Sequence, residues 1–172
     1  MNVDLEFLSS LESDLNEISR YVAIDSLNYT TFSVELSRII VAASIEFESL
    51  LKAIVKEIDP GFNFERTNLG LLKEPLLEKV SWIQNRKITI RRSGEEIYPL
   101  KDWSSSSLFW WNAYTALKHN RSENFEKATL KSAIYSVAAY GLLVGACAHY
   151  LKDINREGRF FELIFNPIRY GA

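Results

Sequence analysis

The sequence predicts an all-α fold: a helical bundle of about five helices, with a small β-hairpin inserted near residues 86–99. Three observations carry this expectation. Long stretches place apolar residues three and four positions apart, which gathers them on one face of a helix. One region, Lys87 to Pro99, instead alternates apolar and polar residues on either side of a Ser93-Gly94 turn. Finally, the 172 residues include only 7 glycines and 4 prolines, and no internal repeat or low-complexity linker divides them, so a single domain over residues 1–172 is expected.

Taken in order, residues 4–24 carry Leu5, Leu8, Leu11, Leu15, Ile18 and Val22 on one helical face and acids on the other. A polar break at Asn28 to Thr31 follows, where Thr31 or Ser33 can cap a longer helix running to Ile58 and ended by Asp59-Pro60-Gly61. Its apolar face comprises Leu36, Ile39, Ile40, Ala43, Phe47, Leu50, Leu51, Ile54 and Val55, leaving Arg38, Ser44, Glu46, Glu48 and Lys52 for the remainder. Residues 68–83 form a weaker helix through Leu69, Leu72, Leu76, Leu77 and Val80, with Pro75 expected near its start or at a kink. After the hairpin, Asp102 and serines 104–107 make a solvated loop, and a helix then carries Trp110, Trp111, Tyr114 and Leu117, with His119 close to its end.

The last long helix is expected over residues 124–153, with Phe125, Ala128, Leu130, Ile134, Val137, Ala138, Leu142, Val144 and Leu151 buried. Its stretch from Ala133 to Leu151 is apolar enough to pose the question of a membrane span. Ser136 and His149 interrupt the run and no basic flank marks one end, so a buried core helix is the better account. The tail brings Phe160, Phe161, Ile164 and Phe165 together, and these side chains must dock on their own bundle or on a protein partner.

A net charge of −2 argues against a surface that grips nucleic acid everywhere, while leaving room for a local basic patch. Cys147 is the single cysteine, so neither a disulfide framework nor a cysteine-rich metal site is available. No metal-binding spacing occurs, and His119 and His149 fall on different expected helices; no cofactor or metal is expected. The start Met1-Asn2-Val3-Asp4-Leu5-Glu6 has acids where an export signal has bases, which favours a cytoplasmic location.

The most informative stretch is residues 111–121, Trp111-Asn112-Ala113-Tyr114-Thr115-Ala116-Leu117-Lys118-His119-Asn120-Arg121. An imidazole that titrates near neutral pH stands between two cations, which suits phosphate binding or phosphate chemistry. The same residues also suit an ordinary helix C-terminus, where cations oppose the macrodipole. Asn112 lies seven positions before His119, two turns away and on roughly the same face. A second basic group, Arg86, Lys87, Arg91 and Arg92, lies on the hairpin, where it can meet phosphates of a nucleic acid or guard a strand edge. Trp82, Trp103, Trp110 and Trp111 suit base stacking or core packing, and the adjacent Trp110 and Trp111 cannot both face inward. Glu46 and Glu48, two positions apart, point to different faces and read as solvated helix surface.

The run from Trp111 to Arg121, followed by Asn124-Phe125-Glu126-Lys127-Ala128-Thr129-Leu130 and an alanine-rich helix, resembles small prokaryotic helical proteins of the HEPN superfamily over about forty residues. That resemblance implies a bundle that often forms a homodimer and, in many members, a metal-independent ribonuclease of phage defence, toxin-antitoxin pairs or RNA processing. It implies attack by a ribose hydroxyl, with His119 moving a proton and Lys118 or Arg121 facing the phosphate. The family's arginine, four to six residues before the histidine, is missing: positions 112–115 are Asn, Ala, Tyr and Thr. The resemblance therefore implies a non-catalytic or conditionally active module that binds RNA, a nucleotide or a partner, with the endoribonuclease as the alternative.

Overall fold

A computed structural model of the chain describes residues 5–151, 159–161 and 163–169, with side chains through residue 147 and at 161 and 163–167. Five helices are present among them: α1 (Leu5–Ile18), α2 (Val34–Ile58), α3 (Leu69–Lys79), α4 (Phe109–His119) and α5 (Leu130–Leu151). A hairpin of β1 (Ile88–Thr89) and β2 (Glu96–Ile97) lies between α3 and α4, and β3 (Arg159–Phe160) pairs with β4 (Ile168–Arg169) after α5. The fold is an all-α bundle with a small β-hairpin.

Helix α2 is the central element, packing chiefly against α5 and then against α3 and α4. It starts where Ser33, in extended conformation, accepts a hydrogen bond at Oγ from the Leu36 amide at 3.1 Å. All nine of its expected apolar residues are buried. Ser44 is not on the solvated face: it is fully buried, and its hydroxyl has no hydrogen-bond partner. Around Phe47 the rings of Trp110 and Trp103 stand at centroid distances of 5.1 and 5.7 Å. Trp110 is buried and donates from Nε1 to the Pro99 carbonyl at 3.0 Å, whereas Trp111 is only half-buried, as two adjacent helical positions require.

Three helices depart from their expected bounds. In α1 the helix stops at Ile18, where the Ser19 hydroxyl takes the Asn16 carbonyl at 2.6 Å and competes with continued helical pairing. Pro75 sits inside α3, and the helix gives way at Val80 to a 3₁₀ turn over Ser81–Asn85. Helix α5 begins at Leu130, not near Asn124. Phe125–Lys127 form a separate 3₁₀ turn, and the amides of Leu130 and Lys131 donate to the carbonyls of Thr31 and Tyr29, which satisfies two donors of the first helical turn. Phe125 is accordingly half-buried, not core. The expected burial of Leu151 lies outside the described side chains.

The apolar run Leu130–Cys147, with mean hydropathy 1.4, is long enough to cross a membrane, but 83% of it is buried inside the bundle. It is the core helix that α2 packs against.

The hairpin turns through Gly94 at φ 73°, a left-handed conformation that glycine adopts without strain. Ile88, Ile90 and Ile97 point into the core. The outer edge of β1 is covered by the tail: the Arg91 amide donates to the Ile164 carbonyl at 2.8 Å, and the Asn166 amide to Thr89 at 2.9 Å. That edge of the hairpin is therefore paired with the chain's own tail. Phe161, Ile164 and Phe165 are buried in this chain's own core, so these three side chains dock on the bundle itself and are not displayed to a partner. The Phe160 side chain lies outside the described residues.

One carboxylate also gathers the tail's backbone amides. Glu12 of α1 is 3% exposed, and its Oε1 accepts the amides of Leu163, Ile164 and Phe165 at 3.1, 2.9 and 3.1 Å. Three charge-assisted hydrogen bonds make burial of that carboxylate tolerable.

Candidate functional site

Helix α4 buries Trp110, Ala113, Tyr114 and Leu117, which turns Asn112, Thr115, Lys118 and His119 to solvent. The helix ends at His119, and the Asn120 amide closes it on the Ala116 carbonyl at 3.0 Å. Asn120 then organises the turn. Its Oδ1 accepts from Ser122 at 2.9 Å, and its carbonyl accepts from the Asn124 side chain at 2.8 Å. Asn124 in turn accepts from Lys127 at 2.6 Å.

Within this ordered turn the expected site residues keep their polar heads exposed. Lys118 rides over the Tyr114 ring at 5.6 Å, and Arg121 over the Phe125 ring at 5.9 Å. Phe125 packs edge-on against Phe32 with centroids 5.5 Å apart, and Phe32 is 48% exposed. Lys118, His119 and Arg121 form no ion pair or hydrogen bond among the described residues, although Glu123 and Glu126 stand exposed in the same connection. The arrangement is an exposed imidazole and two exposed cations, one of which, Arg121, is joined through Phe125 to the accessible ring of Phe32.

Asn112 does not join them. Its side chain donates to Ser107 Oγ at 3.0 Å, at the opposite end of the helix. Seven residues at 1.5 Å per residue separate it from His119 by about 10 Å along the axis, so the two share a face without sharing a hydrogen bond.

The hairpin cations belong to a different segment. Trp110 donates to the Pro99 carbonyl just after β2, and the Glu95 carboxylate of the same hairpin takes the Tyr29 hydroxyl, three residues before Phe32. Arg86, Lys87, Arg91 and Arg92 are all exposed. Lys87 is paired with Glu96, whose hydrogen bond and charge hold the ammonium above the usual lysine range. Glu48 likewise pairs with Lys52 at 2.6 Å, one turn along α2, as helix surface does.

One polar cluster had no signal in the sequence. The Tyr29 hydroxyl donates to Glu95 at 2.8 Å across 66 residues, and Lys131 lies over Phe109, Tyr135 and Tyr29 at 5.0, 5.8 and 6.0 Å. Burial, then the nearby Glu95 carboxylate, pushes both phenols above their ordinary range. The aromatic box is filled by the chain's own ammonium, which ties the loop before α2 to the start of α5. Among the described residues no three His, Cys, Asp or Glu side chains gather where they could hold a metal ion, and the His149 side chain lies outside them.

No protein-family model, curated protein or solved structure matches the chain.

Proposed function

We propose that this chain is a HEPN-like helical module that binds single-stranded RNA at the end of α4, of the kind found in prokaryotic defence or toxin-antitoxin systems. The observation that carries the reading is the set of Lys118, His119 and Arg121, exposed and without a carboxylate partner among the described residues, with Arg121 over the Phe125 ring that packs against the exposed ring of Phe32. Cations that track a phosphate backbone, together with a ring on which a base can stack, are what sequence-tolerant binding of single strands uses. The exposed Arg86 and Arg92 provide a second electrostatic contact for a longer strand.

Fluorescence anisotropy with a labelled single-stranded RNA over a salt series tests this. Changing both Lys118→Ala and Arg121→Ala should weaken binding and flatten the salt dependence by roughly 1.4, at about 0.7 per phosphate contact for single strands. Phe32→Ala should cost about 1–3 kcal/mol of binding. Unchanged binding by the double variant would refute the reading.

The second reading is the metal-independent endoribonuclease, favoured by the exposed His119 between two cations. It predicts cyclic phosphate ends on RNA incubated without metal, and their loss in His119→Ala. A homodimer that joins two α4 ends would build the composite cleft that such a reaction uses. RNA that is bound but left intact by the parent protein keeps the binding module and removes the enzyme.

A further inference from the structure

A groove of about 580 Å³ runs between α1 and α2, on elements that take no part in the α4 turn. Its floor is apolar, made by Leu11, Ile18, Ile39 and Ala42, and Tyr21 stands at one end with 83% of its surface exposed. Its rim is acidic. Asp14 and Glu17 come from α1 and Glu35 from α2, against Arg38 alone. That guanidinium is already paired with Glu35 at 3.1 Å, so three carboxylates against one cation leave the groove with two excess negative charges. Burial and the neighbouring Glu17 push the Asp14 carboxyl above its usual range, Glu35 adds to the shift, and Arg38 opposes it. The three carboxylates share one rim, and their mutual repulsion is what an incoming cation relieves.

Helix α1, at 14 residues, offers a track about 21 Å long. An amphipathic helix fits such a track with its apolar side chains on the floor and its cations on the rim. An RNA backbone does not, because the rim repels phosphate.

We infer that the α1–α2 groove is a docking site for a basic amphipathic helix of a partner protein, its apolar residues set on Ile18 and Ala42 and its lysines or arginines facing Asp14, Glu17 and Glu35. This does not depend on the RNA reading, since it uses a different surface and a partner of opposite charge.

The probe is a fluorescent helical peptide of leucine and lysine, with leucines three and four positions apart, compared with a twin carrying glutamate for each lysine. The full chain should bind the lysine peptide saturably and reject its twin. The combined variant Asp14→Asn, Glu17→Gln and Glu35→Gln should weaken binding at least about tenfold, because it removes three attractive charges and frees Arg38 to repel. Ala42→Trp should block the floor, with circular dichroism confirming that each variant keeps its helices. Equal binding of the two peptides, unchanged affinity in either variant, or no saturable binding by the parent would overturn the inference. So would a self-associating parent that refuses the peptide and becomes monomeric on Ala42→Trp, which would assign the groove to a second copy of the chain.

Discussion

Glu12 and the end of α4 handle ionic groups in opposite ways. Glu12 is buried, and one oxygen collects three backbone amides from a segment 151 to 153 residues away. Lys118, His119 and Arg121 are exposed, and the turn beneath them is held by Asn120 and Asn124, not by the ionic side chains themselves. A buried charge persists only where the fold supplies every partner, so it acts as a fastener. An exposed charge costs the fold little and keeps its hydrogen-bonding capacity for something else. The first region explains how the tail stays on the bundle; the second is where a ligand can be met.

The largest effect should come from breaking the fastener. Glu12→Ala leaves three amides without their acceptor and should destabilise the chain by about 3–5 kcal/mol, read as a shift of the urea midpoint. Glu12→Gln keeps an acceptor oxygen and should cost less. If the alanine variant unfolds at the parent's midpoint, the carboxylate does not hold the tail.

Ser44 sharpens the contrast, because it is a buried polar group that the fold has not satisfied. Ser44→Ala should raise stability by about 1 kcal/mol, since it removes an orphan hydroxyl and improves helix propensity. A loss of stability would mean that the hydroxyl has a partner in solution. On the exposed side, replacing Lys118, His119 and Arg121 together with alanine should change stability by less than about 1 kcal/mol, mostly through the lost interaction with the helix dipole. A larger loss would make these residues scaffold.

The smallest effect concerns Asp14. Its carboxyl sits above the usual range, so the folded state holds that proton more tightly than the unfolded state, and stability is lost as pH rises through the window between the two values. Asp14→Asn should therefore be slightly more stable than the parent above that window and equal to it below, where aspartate is protonated in both states. Urea midpoints measured at acidic and neutral pH distinguish this from a variant that is better or worse at every pH.

How much of this was legible follows from what is local. The periodicity of α2 and the Ser33 cap depend on neighbours within one or two turns, and the structure buries all nine expected apolar positions and keeps the cap, although it buries Ser44 as well. The position of His119 at the end of α4 is local in the same sense. The start of α5 was misplaced because Asn124 and Phe125 continue a helical pattern, whereas the deciding bonds come from the carbonyls of Tyr29 and Thr31, a hundred residues earlier. Glu12 looked like one more acid on the solvated face of α1, and glutamate is seldom buried without partners. Its partners are backbone amides, which carry no residue-specific signal. The Tyr29–Glu95 bond and the Lys131 box were invisible for the same reason of distance. Of the expected site, Lys118, His119 and Arg121 fall in one exposed turn, while Asn112 lies toward the other end of α4 and the hairpin cations come from another segment.

The central claim, that the end of α4 is a binding surface and the Glu12 fastener is scaffold, is tested most directly by following isotope-labelled backbone amides during titration with a short single-stranded RNA. Shifts should concentrate at Leu117 to Phe125 and at Phe32, with the amides of Leu163, Ile164 and Phe165 unmoved. Shifts confined to other surfaces, or none at saturating RNA, would contradict it.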